Sequence, residues 1–321
     1  MPTLRWALLG AAALTLASFG ASAQAPYPNQ VVRIVVPFSA GSATDLLARA
    51  VGDKLSEKWK QQVVVENRPG LAGTTSAAKS AADGYTLMLT SNGHTVTGVL
   101  NKSLQFDPVK DFAGITPVAT VPLVMIINPE IPAKTVKEFI DLAKAKPGTM
   151  NFASPGLGST TFIAGALFRQ NANINLVHVP YKGAPESNMS VVRGDSHMYF
   201  TPANTALELM QSGKVRALAV ATAKRVPSMP DVPTLAESGL PNFSYDSWFG
   251  LMAPAGTPAA IIDKINKDTI EALNDPALQD RMAKQGGVVV IHSSPKKFDE
   301  IIKSDTERYG KMFEAAGIGA K

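Results

Sequence analysis

The feature that most constrains this chain is the junction Pro37-Phe38-Ser39-Ala40-Gly41-Ser42-Ala43-Thr44-Asp45. Before it stands the apolar run Val31-Val32-Arg33-Ile34-Val35-Val36, which reads as a buried strand. After it Leu46, Leu47, Ala50, Val51, Leu55 and Trp59 recur at helical spacing. A Gly/Ser loop thus feeds a helix start, with Ser42, Thr44 and Asp45 as candidate caps. Such a junction offers unpaired backbone N–H groups at the positive end of a helix dipole, and so a site for an anion.

Charge and compartment narrow the choice of anion. The 321 residues suffice for two domains, with 45% apolar and 18% charged residues, a globular balance. The net charge of +5 is spread without a basic block, which argues against a nucleic-acid groove and for mild attraction of small anions. At the N-terminus Arg5, the apolar stretch Trp6 to Phe19 and Ala21-Ser22-Ala23 form a signal-peptide pattern over 1–23, cleaved before Gln24. The alternative, an uncleaved anchor, meets an apolar stretch shorter than the roughly 20 residues a bilayer span needs. With no cysteine, the chain has no lipidated cysteine, disulfide, thiolate nucleophile or cysteine metal site. An exported, soluble protein is expected.

Further along, strands read at Gln62 to Glu66 and Tyr85 to Thr90, the latter ending in Ser91-Asn92-Gly93-His94. A small-residue helix reads at Thr74 to Ala82. Strands alternating with helices predict βαβ units and a mainly parallel sheet, with ligands at the carboxyl ends of its strands. The apolar run Val121 to Pro129 is another strand, and after it the pattern restarts. Thr135 and Glu138 have capping-box spacing ahead of a helix to Lys146. Met150 to Ala153 is a short strand, followed by Ser154-Pro155-Gly156-Leu157-Gly158-Ser159-Thr160 and a helix over 161–171. Gly158-Ser159-Thr160-Thr161 matches Gly41-Ser42-Ala43-Thr44 in type, so two α/β lobes, each with an anion-ready helix start, form the simplest architecture. Coincidence is the alternative, since Gly/Ser before a helix is common. Further strands read at 176–179, 198–202, 215–221, 245–252 and 288–291, and helices at 258–274, 276–285 and 295–316. The extended segments near Val121 and Trp248 are the expected links between lobes, and two such crossings make a hinge.

Catalytic constellations are missing from the sequence. His94, His178, His197 and His292 are scattered, with no H-E-x-x-H, and neither G-x-S-x-G nor a Walker loop occurs. Gly156-Leu157-Gly158 begins a dinucleotide fingerprint, but Thr161 stands where Gly or Ala is needed. Asp45, at a helix start, reads as a cap. The expectation is a binder with no cofactor and no metal.

Several motifs together resemble the Bug-type periplasmic solute receptors of tripartite tricarboxylate transporters. They are Val31 to Asp45, Val65-Glu66-Asn67-Arg68-Pro69-Gly70, Asp83-Gly84-Tyr85-Thr86-Leu87, His178 to Gly183, Asp231-Val232-Pro233-Thr234, Trp248-Phe249-Gly250 and Pro254 to Pro258. The resemblance implies a type II, two-lobed Venus flytrap with lobes 27–122 plus 246–321 and 123–245. It implies a small organic carboxylate ligand, capture by hinge closure and delivery to the membrane components of the transporter by a monomer. It also implies that Phe38, Ser39, Ala40, Gly41, Ser42 and Asp45 hold one ligand carboxylate, with Thr90, Ser91, Asn92 and His94 as the second loop of that lobe. Ser154, Pro155, Gly156, Gly158, Ser159 and Thr160 take the distal part, joined by Tyr181 and by Phe200, Thr201 and Trp248.

The chain departs from the family pattern in three places. Ser42 stands where a second Gly is commoner, Thr201 where many relatives have Asp, and Asn92 and His94 vary the second loop. Without the carboxylate at 201 a ligand ammonium loses its partner, so amino acids are disfavoured and a second ligand carboxylate is tolerated. Phe38, Phe200 and Trp248, if they line the slot, favour an aromatic or medium-length carboxylate; the alternative is that these rings pack inside the lobes or hinge. A receptor signalling to a membrane sensor is the rival within the same architecture, and a secreted enzyme the rival from another class.

Overall fold

The computed structural model describes residues 27–101, 103–286 and 288–315. The signal-peptide expectation falls outside these residues. In chain order the elements are β1 Val32–Val36, α1 Ala43–Trp59, β2 Val63–Asn67, α2 Leu71–Ala78, β3 Thr86–Ser91, a 3-10 turn Asn92–Val96 and α3 Thr97–Leu100. Then follow β4 Phe112–Thr120, β5 Leu123–Ile127, α4 Val136–Ala145, β6 Asn151–Ser154, α5 Thr160–Asn171, β7 Val177–Pro180, α6 Ala184–Val192, β8 Met198–Pro202, α7 Ala203–Gln211 and β9 Arg216–Val220. The chain ends with β10 Trp248–Pro254, α8 Ala259–Leu273, α9 Pro276–Gly286, β11 Val289–Val290 and α10 Pro295–Ala315.

Two sheets organise these elements into a two-lobed α/β fold. One has the order β11-β4-β10-β3-β1-β2, the other β7-β6-β8-β5-β9. Each is covered on both faces by helices, which explains its near-continuous apolar strands. In the first lobe α1 and α8 pack on one face and α2 and α10 on the other. In the second, α4 and α5 face α6 and α7 across the sheet.

Neither sheet is parallel throughout, a departure from the mainly parallel expectation. β10 runs antiparallel to β3 and β4, and β5 runs antiparallel to β8 and β9. The reason lies in the crossings. β1 and β3 end at the edge that faces the other lobe, as do β6 and β8. A strand that arrives from the other lobe enters at that same edge and must run the opposite way. β5 follows β4 through residues 121–122, and β10 follows the second lobe through 246–247. Ser247 pins these segments together: its Oγ accepts from Val121 N at 3.3 Å and donates to Val121 O at 2.8 Å.

Helix α10 also spans both lobes. Its beginning packs on the first sheet, where Phe298 fills the space that side chains at Gly114 and Gly250 would take. Its end brings Tyr309 and Phe313 into the core of the second lobe, with Phe313 stacked on Phe162 of α5 at 5.9 Å. The expected division placed all of 246–321 with the first lobe; this helix belongs to both.

Candidate functional site

The β1–α1 junction is held by its own helix cap. Ser42 Oγ accepts from Asp45 N at 3.2 Å, and Asp45 Oδ2 accepts from Gly41 N at 2.9 Å, so the cap is reciprocal. Asp45 Oδ1 accepts from Asn67 Nδ2 at 2.9 Å and lies 3.0 Å from the Arg49 guanidinium. The same Asn67 amide donates to Phe38 O at 3.2 Å. Burial raises the Asp45 pKa, but the hydrogen bonds from Gly41, Asn67 and Arg49 outweigh it and hold the carboxyl below its ordinary value. Asp45 is therefore a staple for the loop, its oxygens already engaged by the protein. Arg49 and Asn67, the latter named above only within the Val65 to Gly70 motif, belong to this machinery. Gly41 adopts φ +80 in the left-handed region. Ser39, Ala40 and Gly41 are exposed and Ser42 half-buried. The first-turn amides of Ala43 and Thr44 lie where a helix leaves its N–H groups without intrahelical acceptors. Phe38 is half-buried and packs on the first-lobe core.

The loop after β3 turns inward. Thr90, Ser91 and Asn92 are buried, and Asn92 Nδ2 donates to the Tyr245 hydroxyl at 2.9 Å. His94 is not in the cleft. Its Nε2 donates to Pro108 O at 2.7 Å, and its ring meets Phe112 edge-on at 4.9 Å. Burial lowers its pKa to about 4, so it is neutral near pH 7 and serves the first-lobe core. The expectation that His94 is part of the ligand-facing second loop is corrected on that ground, and Asn92 is engaged by Tyr245.

The opposing loop of the second lobe follows the same plan. Ser159 Oγ caps α5 by accepting from Phe162 N at 3.1 Å and donates to Gly156 O at 2.8 Å. Ser154 Oγ accepts from Gly156 N at 3.0 Å and lies 2.7 Å from His178 Nε2. Pro155, Gly156, Gly158, Ser159 and Thr160 are half-buried, and Leu157 is exposed at the tip. Burial, helped by the nearby Arg169 charge, lowers the His178 pKa to about 4. Ser154 and His178 superficially suggest a nucleophile and base. Ser154 is fully buried, however, and no carboxylate is hydrogen-bonded to His178 among the described residues. Tyr181 donates its N–H to Ser154 O at 2.8 Å, while its hydroxyl lies 3.0 Å from Ser196 Oγ inside the lobe.

Two expected aromatic walls lie elsewhere. Phe200 is buried in the second-lobe core with Phe168, and Trp248 packs edge-on against Phe298 with Nε1 donating to Asp305 Oδ2 at 2.8 Å. Strand alternation explains Phe200: it faces α5, which leaves Tyr199 and Thr201 together on the other face of β8. The Thr201 hydroxyl is buried without a protein hydrogen-bond partner, as are Ser91 Oγ at the end of β3 and Asn204 Oδ1 in the first turn of α7, whereas the Tyr199 hydroxyl is held inside the lobe by Thr161 and Ser187. Buried polar atoms are nearly always paired, which makes Ser91, Thr201 and Asn204 candidate ligand contacts. Of these, Asn204 was not expected from the sequence; its signal was the spacing of three residues from Thr201.

The two lobes meet at the Gly93 and Gly158 main chains. Neither the 37–42, 90–94 nor 154–160 stretch contains Lys or Arg, so amides, hydroxyls and helix dipoles are the available anion donors. Among the described residues no group of three His, Cys, Asp or Glu is placed to hold a metal ion.

Comparison with known proteins agrees with this geometry. The family profile described as "Tripartite tricarboxylate transporter family receptor" matches residues 47–318. Protein BugT of Bordetella pertussis is 34% identical over 300 residues, spanning 92% of this chain and 92% of its own. The solved structure of Rpa4515 of R. palustris with adipate superimposes with a TM-score of 0.83 at 30% identity, covering 92% of this chain and 100% of that one. MatC of Rhodopseudomonas palustris with bound malate gives 0.80 at 28% identity, covering 89% and 99%.

Proposed function

This chain belongs to the tripartite tricarboxylate transporter receptor family, and from that premise we propose that it captures a small organic carboxylate between its lobes and hands it to the transporter's membrane components. One carboxylate sits at the amides of the 38–44 loop. The distal part of the ligand meets the 154–160 loop, the Thr201 hydroxyl and the Asn204 amide. The observation that carries this reading is the pairing of two capped, Gly/Ser-rich helix starts, at Ser42 and Ser159, across one hinge. A charge-assisted hydrogen bond contributes about 1.5–3 kcal/mol, so several preorganised donors hold a carboxylate without a cationic side chain. The adipate and malate bound by two relatives support a di- or hydroxy-carboxylate of moderate length.

Ligand contact with both lobes favours the closed state, and closure is the transport signal. The lobes are 27–122 with 246 onward and 123–245, with α10 shared. The protein works in the periplasm as a monomer after export and performs no chemistry on its cargo. No helix among the described residues is long and apolar enough to cross a membrane, as this reading requires.

A thermal-shift screen of the mature protein against malate, adipate, citrate, benzoate and free amino acids tests the proposal. A carboxylate at a hundredfold excess over Kd is expected to add about 2.7 kcal/mol of stability. Shifts from amino acids alone would overturn the reading of Thr201, and no shift from any carboxylate would overturn the proposal.

A further inference from the structure

Gly93 lies in the first lobe and Gly158 in the second, and their main chains touch. A Cβ at position 93 would overlap the Gly158 carbonyl oxygen and stand 2.6 Å from its carbon and 3.4 Å from its Cα. The obstacle is backbone, so no rotamer change relieves it. The turn behind Gly93 is braced: Thr97 Oγ1 donates to Gly93 O at 3.2 Å, and neighbouring Asn92 is tied to Tyr245 at the hinge.

The two glycines are needed for different reasons. Gly158 adopts φ +81 and is a glycine for its own conformation. Gly93 is absent from the positive-φ region, so its backbone accepts any L-residue. The three nearest obstacles to a side chain there all belong to the opposite lobe.

We infer that Gly93 determines closure: the lobes come together until its Cα meets the Gly158 carbonyl, and the missing Cβ sets the closed width of the cleft. This rests on the proposed receptor function. Any side chain at 93 stops the lobes short, so ligand groups held by one loop lose contact with the other. Affinity then falls with the population of the closed state. Closed width also bears on ligand choice, because a cleft held ajar penalises short carboxylates more than long ones.

The test compares Gly93→Ala with Gly98→Ala, a control a few residues on whose Cβ would meet nothing closer than 3.5 Å. Calorimetric titration uses malate and adipate. Gly93→Ala is expected to keep the ligand-free melting temperature and lose at least tenfold in affinity, more for malate than for adipate, while Gly98→Ala binds as wild type. Wild-type affinity in Gly93→Ala would overturn the inference. A second arm needs no ligand. The chain has no cysteine, so spin labels at Glu57→Cys and Lys144→Cys, exposed positions one in each lobe, read the shortest distance the lobes reach. Adding Gly93→Ala is expected to remove that shortest-distance population. If wild type binds neither probe yet Gly93→Ala removes it, the contact stands and the receptor reading falls. If the wild-type and Gly93→Ala distributions coincide, the inference falls.

Discussion

Asp45 shows how one carboxylate shapes a loop from within the protein. Its two oxygens gather Gly41 N, Asn67 Nδ2 and Arg49, and so fix the curve of the 38–44 loop. Asp45→Ala leaves the Gly41 amide and the Asn67 side chain without their acceptor. A loss of about 1.5–3 kcal/mol in stability is expected near pH 7, together with weaker ligand binding. The pH dependence has a definite sign. The folded pKa lies below the unfolded value of about 3.9, so the contribution is full above that pH. It is lost as pH falls through the depressed folded value. Urea melts of wild type and variant should therefore differ at pH 7 and converge under strong acid; a gap that persists unchanged would assign the effect to something other than the carboxylate. His94 illustrates the converse, a polar residue in a cleft-loop sequence whose side chain belongs to the core. Nothing in Ser91-Asn92-Gly93-His94 says that its ring points to Phe106 and Phe112, because that depends on strand β4 closing over it.

At the scale of elements, the strand–loop–helix units were legible because their signals are local. Apolar runs, Gly/Ser loops and Ser or Thr caps lie within a few residues of one another, and the Thr135–Glu138 capping box forms as its spacing suggests. Other elements hid. Gly114 and Pro117 interrupt β4, and the pairing with β10 absorbs them through register shifts. Helices α6 and α7 start beside prolines and span only nine residues each. The reach of α10 into the second lobe depends on tertiary packing and leaves no local mark. That reach has a measurable consequence. Phe313 is fully buried against Phe162, so Phe313→Ala is expected to lower stability by about 3–5 kcal/mol. Chemical denaturation checks this directly, and a change under 1 kcal/mol would mean that the helix end is not part of the second-lobe core.

The whole molecule is two sheets whose shared edge is made by the crossings themselves. Strands β5 and β10, arriving from the partner lobe, run antiparallel to their neighbours, and β1, β3, β6 and β8 deliver their loops into the gap between the lobes. The ligand's identity was least legible, since it depends on which hydroxyls face inward. The Thr201 hydroxyl lies buried and unpartnered, while that of Tyr199, on the same face of β8, is held by Thr161 and Ser187. The central claim is that a carboxylate closes this clamp. Glu57 on α1 and Lys144 on α4 are exposed, one in each lobe. Spin labels at Glu57→Cys and Lys144→Cys measure the distance between lobes in a chain with no other cysteine. With a saturating carboxylate from the thermal-shift screen, that distance should collapse to a single narrow, closed-state population. A bound carboxylate that leaves the distribution unchanged would contradict capture by closure.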